Sequence, residues 1–346
     1  MRFGITSAMA CPNGRTESGL FQQTLHQIEW AEQAGYDTYA LVEHHGFPMF
    51  SISANPLAVF AAAAQRTERI RFRSNISVIP LHGPLQLAGE LAVVDHLTNG
   101  RLEVGVGRGH AWVYNMTDVK MEDSKGRYYE SLDIIKQAWT GEKFSYHGHY
   151  FSFDNVQVVP RPQQNPHPPL FTGGTSAATY QWAAEQGLGL AVAQLIGGLE
   201  ETVAEYQRVS RERGFTPRLS TDKIIYITDD IEKARPQVEP FLREYLQGNA
   251  IPVASLPAKE KLREKGYGFY ASGYLEGLAT LSWTELVERD LIWIGSASYI
   301  TDRIGEFMSK IPIDTLQIMP DFGGMRLPQS LEIMEQFAAG VVPNFK

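Results

Sequence analysis

One repeated pattern constrains this chain more than any other: a short apolar run, then a longer amphipathic stretch, from one end to the other. "RFGITS" (2–7) reads as a strand, and "LFQQTLHQIEWAEQAG" (20–35) as a helix stopped by Gly35. "DTYALVEHH" (37–45) is a second strand, and "NPLAVFAAAAQRT" (55–67) a helix opened by an asparagine cap and a first-turn proline. "RIRFRSNISVIP" (69–80), "RLEVGVGRG" (101–109), "LFTGGT" (170–175), "LGLAVAQLI" (188–196), "STDKIIYITDD" (220–230) and "DTLQIMPDF" (314–322) supply strands three to eight, with helical stretches between them. Eight such units predict an α/β (β/α)₈ TIM barrel, one domain over residues 1–346. A doubly wound open sheet is the competing architecture. It is disfavoured because the first strand-to-helix turn, "SAMACPNGRTES", lacks G-x-G-x-x-G. Two insertions break the beat. Residues 142–169 alternate aromatic and polar side chains and end in prolines, which reads as a surface hairpin plus an extended connector. Residues 249–289 hold glycines and aromatics with no clear period, a second interruption.

Composition removes several function classes. The net charge of −8 argues against a general nucleic-acid binder, which needs a basic face. A single cysteine, Cys11, allows no intramolecular disulfide and fits a reducing, cytoplasmic setting. No run approaches the ~20 apolar residues of a membrane span, and "MRFGITSAMA" lacks a signal-peptide layout.

In a barrel the chemistry lies at the C-terminal strand ends. Strand two exits into Glu43, His44 and His45; strand three carries Asn75 and Ile76. Strand four delivers Arg108 and His110, and strand five ends in Gly174, Thr175 and Ser176. "TGGTS" followed by a helix combines free N–H groups with hydroxyls, which suits a phosphate. A plain N-cap at Thr175 or Ser176 explains the same residues, but Arg108 on the neighbouring strand favours an anion. A metal site is not expected. His44 and His45 are adjacent on a strand and point to opposite faces, and the "HGH" of 147–149 belongs to the hairpin outside the barrel. Of the two neighbours, His44 is the catalytic candidate and His45 the one that supports the rim. Hydrolysis lacks a G-x-S-x-G elbow, and Cys11 reads as a structural thiol.

These blocks, "MRFGI", "AGYDTYALVEHHGFP", "VDHLTNGRLEVGVGRG", "YHGHYFSFDNVQVVPRPQQNPHPPLFTGG" and "SAATYQWAAEQGLGL", in this order, resemble the bacterial luciferase-like flavin-dependent monooxygenases. The resemblance covers nearly the whole chain. It implies reduced FMN from a separate flavin reductase, O₂, a peroxyflavin, and oxygenation of a small organic substrate. It implies Glu43 and His44 beside the flavin ring, with His44 as acid or base and Glu43 orienting it or touching the flavin. It places Arg108, Gly174, Ser176 and Thr179 around the FMN phosphate, and Thr175 where luciferase has a carboxylate. It puts Asn75–Ile76 at a turn that holds a non-proline cis peptide in many relatives. It further implies a homodimer and a closing segment near 249–289, with Lys261, Lys265, Tyr267, Tyr270 and Tyr274 as candidates there. One departure is Gly107, where the light-emitting subunit has a reactive cysteine. Two alternatives stay open: a deazaflavin-dependent oxidoreductase of the same superfamily, and a non-catalytic flavin-binding barrel. Oxygen uptake with FMN and a flavin reductase separates the monooxygenase from both, and a deazaflavin titration isolates the first alternative.

Overall fold

The computed structural model describes residues 1–12, 14–174, 176–192 and 198–345. Eight parallel strands close on themselves: β1 (Arg2–Ser7), β2 (Thr38–Leu41), β3 (Arg71–Val78), β4 (Leu102–Gly107), β5 (Leu170–Gly174), β6 (Gly189–Val192), β7 (Leu219–Lys223) and β8 (Thr315–Ile318). Each pairs with its sequence neighbour, and β1 closes the ring on β8 through Arg2 opposite Thr315 and Ile5 opposite Ile318. The expected barrel is therefore the observed one.

The strands alternate in what they face, and this builds two packing regions. Ile5, Tyr39, Phe72 and Leu316 are buried in the hydrophobic core. The residues between them fill the lumen with polar groups. Arg73 and Glu103, 1% and 2% exposed, form an ion pair, and Arg73 also donates to Ser220 Oγ at 2.8 Å. Glu103 further accepts from Arg2 and Arg71 at 2.8 and 2.9 Å. Burial works to raise the Glu103 pKa, but Arg73, Arg2 and Arg71 outweigh it and hold the carboxyl at about 2. Two residues nearer the mouth on β3, Asn75 Nδ2 crosses the lumen to Asp222 Oδ2 on β7 at 3.0 Å.

The insertions differ in one respect from their sequence reading. Phe144–His147 and Ser152–Val156 pair antiparallel, the expected hairpin. Residues 249–289, in which no period is legible, are built from short helical pieces: Ile251–Ser255, Lys259–Glu264, Tyr274–Ala279 and Trp283–Glu288. None is long enough to show a helical repeat, yet Leu262, Tyr267, Leu275, Leu278 and Trp283 are buried. The stretch read as a single seventh strand divides. Leu219–Lys223 stays in the barrel, and Ile225–Ile227 leaves it to pair with Trp293–Gly295. The far end of the expected sixth strand, 193–196, lies outside the described residues. Among the described residues no helix is long and apolar enough to cross a membrane.

Candidate active site

Beyond β2 the side chains of Glu43 and His45 meet each other, while that of His44 packs against Phe50 and Trp112. The carboxylate of Glu43 is almost fully enclosed. Its Oε2 accepts from the Val78 N–H at 2.9 Å, and its Oε1 meets His82 Nε2 at 2.8 Å and His45 Nε2 at 3.1 Å. Burial alone would raise its pKa; the bonds from His45, His82 and the Val78 N–H reverse this and hold it at about 2. Burial likewise opposes a charge on His82, but the Glu43 carboxylate wins and raises that imidazole above its ordinary value. Glu43 thus clamps the exit of β2 to the exit of β3. It does not orient His44.

His44 is oriented from elsewhere. Its backbone N–H donates to Ser53 O at 2.9 Å, and its ring, 1% exposed, packs against Phe50 at 4.3 Å between centroids. The indole N–H of Trp112 donates to His44 Nε2 at 3.4 Å. A neutral imidazole has one acceptor and one donor nitrogen, so the proton sits on Nδ1. That Nδ1 is buried and has no partner among the described residues. Burial, with His110 and His45 adding to it, pushes the His44 pKa down to about 2. Burial thus favours the neutral form of this imidazole.

A stability prediction follows. The unfolded pKa of His44 is about 6.5 and the folded one about 2. Between these values the unfolded chain binds the extra proton, so stability rises with pH across that window. Glu43, lowered from 4.5 to about 2, adds to the same slope below pH 4.5. Urea midpoints should fall steadily as pH drops below about 6.5. In His44→Phe the slope between pH 6.5 and 4.5 should shrink; an unchanged slope contradicts this account.

The third strand end bears out one expectation directly: the Asn75–Ile76 peptide is cis. The Ile76 side chain reaches over β4, and a Cβ on Gly107 would lie 2.4 Å from Ile76 Cδ1. A cysteine at 107 would displace it.

Next along the rim, Arg108 leaves β4. Its Nη2 donates to Gly266 O at 2.8 Å and its guanidinium lies over the Tyr267 ring at 4.4 Å. Its Nη1 is buried and unpartnered among the described residues. On β5, a Cβ at Gly174 would come within 2.6 Å of Thr179 Cγ2, so glycine lets the strand lie against the next helix, Ala177–Gln186. Ser176 caps that helix by accepting from the Thr179 N–H at 3.3 Å, and the two hydroxyls are 2.9 Å apart. Thr175 lies outside the described residues.

From the 249–289 segment, Tyr267 and Tyr270 reach the mouth, the latter with its hydroxyl 2.7 Å from His110 Nδ1. Lys265 instead pairs with Glu122 at 2.7 Å, Lys261 is exposed, and Tyr274 stands against Phe269 at 5.8 Å. Sequence reasoning missed His82, Trp112 and Asp222. A signal existed for two of them: His82 follows the exit of strand three in "VIPLHGP", and Trp112 follows Arg108-Gly109-His110. Asp222 stands mid-strand and carries none. Among the described residues no group of three or more His, Cys, Asp or Glu could hold a metal ion.

Candidate groups thus gather at the exits of four successive strands, β2 to β5, of a closed parallel barrel. The family profile of luciferase-like monooxygenases matches residues 1–315, and the chain belongs to that family. It is 25% identical over 249 residues to the oxygenase component of the flavin-dependent trigonelline monooxygenase of Acinetobacter baylyi, covering 68% of this chain and 67% of that protein. Monooxygenase RslO1 from Streptomyces bottropensis has the same fold, with a TM-score of 0.83 at 23% identity and full coverage of both chains. So does the oxygenating constituent of 3,6-diketocamphane monooxygenase from Pseudomonas putida, solved with FMN, with a TM-score of 0.81 at 20% identity over 100% of this chain and 99% of that one.

Proposed function

We propose that this chain is the oxygenase component of a two-component FMN monooxygenase, which takes reduced FMN from a separate reductase and uses O₂ to oxygenate a small organic substrate. The observation that carries this reading is the unpartnered, buried Nη1 of Arg108, beside a β5 exit with paired hydroxyls at a helix N-terminus. These groups fit a phosphate monoester: Arg108, Ser176 and Thr179 would hold it, with Gly174 at the end of β5 beside them. Asn75 and Ile76 would line the ring side, and Glu43 would keep the β2 and β3 exits in register beneath it. Reduced FMN, when bound, supplies the electrons that activate O₂.

The protein's own part is positioning, proton placement and exclusion of water. His44 presents a neutral Nδ1–H, a donor fixed by Trp112. Tyr267 and Tyr270 cover the mouth and keep water from the reacting groups. The trigonelline enzyme is named as an oxygenase component, which supports a reductase partner for this chain too.

The test is oxygen uptake with the chain, FMN, NADH and a flavin reductase, using decanal and cyclohexanone as probe substrates, with peroxide release measured in parallel. The expected result is oxygenated product with peroxide suppressed. His44→Ala should lower product formation roughly 10²–10³-fold, the cost of removing one preorganised donor. Failure to bind reduced FMN, or turnover with a deazaflavin alone, would overturn the reading.

A further inference from the structure

We infer that His110 is a second substrate-binding residue, and that it forms with His44 a pair of neutral N–H donors for one oxygen atom of the substrate, a ketone, aldehyde or phenol oxygen on an apolar frame. The inference deepens the monooxygenase reading and rests on it only for calling the ligand a substrate.

His110 follows β4 and is partly exposed at the mouth. Its ring is stacked on Trp112, with centroids 4.3 Å apart and planes 6° apart. The Tyr270 hydroxyl stands 2.7 Å from His110 Nδ1. Burial raises the pKa of that phenol, so it keeps its proton, and among the described residues His110 Nδ1 is the one acceptor within hydrogen-bond reach of it, which makes the phenol the donor. His110 Nδ1 is then the acceptor, and the ring carries its proton on Nε2. At His44 the arrangement is reversed: Trp112 donates to Nε2, and Nδ1 carries the proton. Two different neighbours thus set opposite tautomers on two facing imidazoles. Burial keeps both neutral, with His110 pushed down to about 4 and His44 to about 2.

The spacing suits a shared acceptor. The two ring centroids are 5.8 Å apart with planes inclined at 77°. A hydrogen-bonded oxygen lies about 3 Å from a ring nitrogen, hence about 4 Å from the ring centre. Rings 5.8 Å apart can both reach such an atom. The surroundings set the ligand's chemistry. Phe50 is 4.3 Å from His44 and 5.0 Å from His110, and Phe47 is 6.2 Å from His44. A neutral donor pair in an apolar box favours a carbonyl or hydroxyl oxygen. A carboxylate or phosphate would call for a guanidinium. A buried donor left unmet forfeits its hydration without a replacement bond, so His44 Nδ1 is a group that gains from a ligand.

The test measures recognition of the oxygen rather than turnover. The full chain, alone and then with oxidised FMN, is titrated calorimetrically with phenol and with toluene, two ligands of similar shape that differ in the hydroxyl. Wild type should prefer phenol by roughly tenfold. His110→Phe keeps an aromatic ring on Trp112, leaves the His44 donor, and should reduce the preference severalfold. Tyr270→Phe releases the tautomer and should reduce it severalfold. Binding of reduced FMN, measured anaerobically on the same preparations, reports the cofactor site separately: its absence overturns the monooxygenase reading, whereas the phenol preference decides the donor pair. No preference in wild type, or an undiminished one in both folded variants, overturns the inference. If His110→Phe does not fold, Tyr270→Phe decides.

Discussion

Replacing Glu103 with alanine will destabilise the folded chain by roughly 3–5 kcal/mol, the cost of removing one partner from a buried ion pair. Glu103 is 2% exposed and serves Arg73, itself 1% exposed, as well as Arg2 and Arg71. Without the carboxylate, Arg73 keeps its charge in the lumen with Ser220 as its remaining hydrogen-bond partner and the Phe171 ring 3.9 Å below it. The urea midpoint should drop at constant m-value, the sign of lost stability rather than a changed unfolding reaction. The double variant Arg73→Met/Glu103→Leu should recover much of the loss, since well-packed apolar side chains replace a buried pair at little cost. A single-variant loss below about 1 kcal/mol would mean that water reaches this layer.

Arg108→Ala should weaken reduced-FMN binding by roughly 30-fold to several-thousand-fold, because truncating one side of a buried charged contact costs about 2–5 kcal/mol. Arg108 has one nitrogen on Gly266 O and a second, buried, with no partner among the described residues. Riboflavin lacks the phosphate, so its affinity should change little in the same variant. Arg108→Lys should recover only part of the FMN affinity, since an ammonium is a point charge without the planar fork. Anaerobic titration of both flavins checks this. Equal losses for FMN and riboflavin would place Arg108 away from the phosphate.

Both predictions depend on how much of the molecule local pattern can reveal. The barrel was legible because strand–turn–helix units announce themselves over ten to twenty residues. "LVEHH", "VGVGRG" and "TGGTS" stand where an apolar run gives way to polar residues, so the strand exits could be read as such. The Lys259–Glu264 and Tyr274–Ala279 pieces could not, because six residues are too short for a helical period to show. The partners of Glu43 were not legible either: adjacency in sequence suggests His44, whereas the chain beyond β2 turns Glu43 toward His45 and His82.

The sequence by itself determined the fold class and set Glu43, His44, Asn75, Ile76, Arg108, Gly174 and Ser176 at or near expected strand exits, through period and spacing, which are properties of neighbours along the chain; the family was legible from the order of its motif blocks. Only the tertiary structure decided what each group touches and therefore its protonation. Glu43 meets His82 across 39 residues, His44 takes its tautomer from Trp112 across 68, and His110 takes its own from Tyr270 across 160. Such partners are set by barrel closure and strand register, and by the seating of a segment that has no period of its own. The charge state of a buried imidazole depends on those neighbours and on burial, neither of which the local sequence carries.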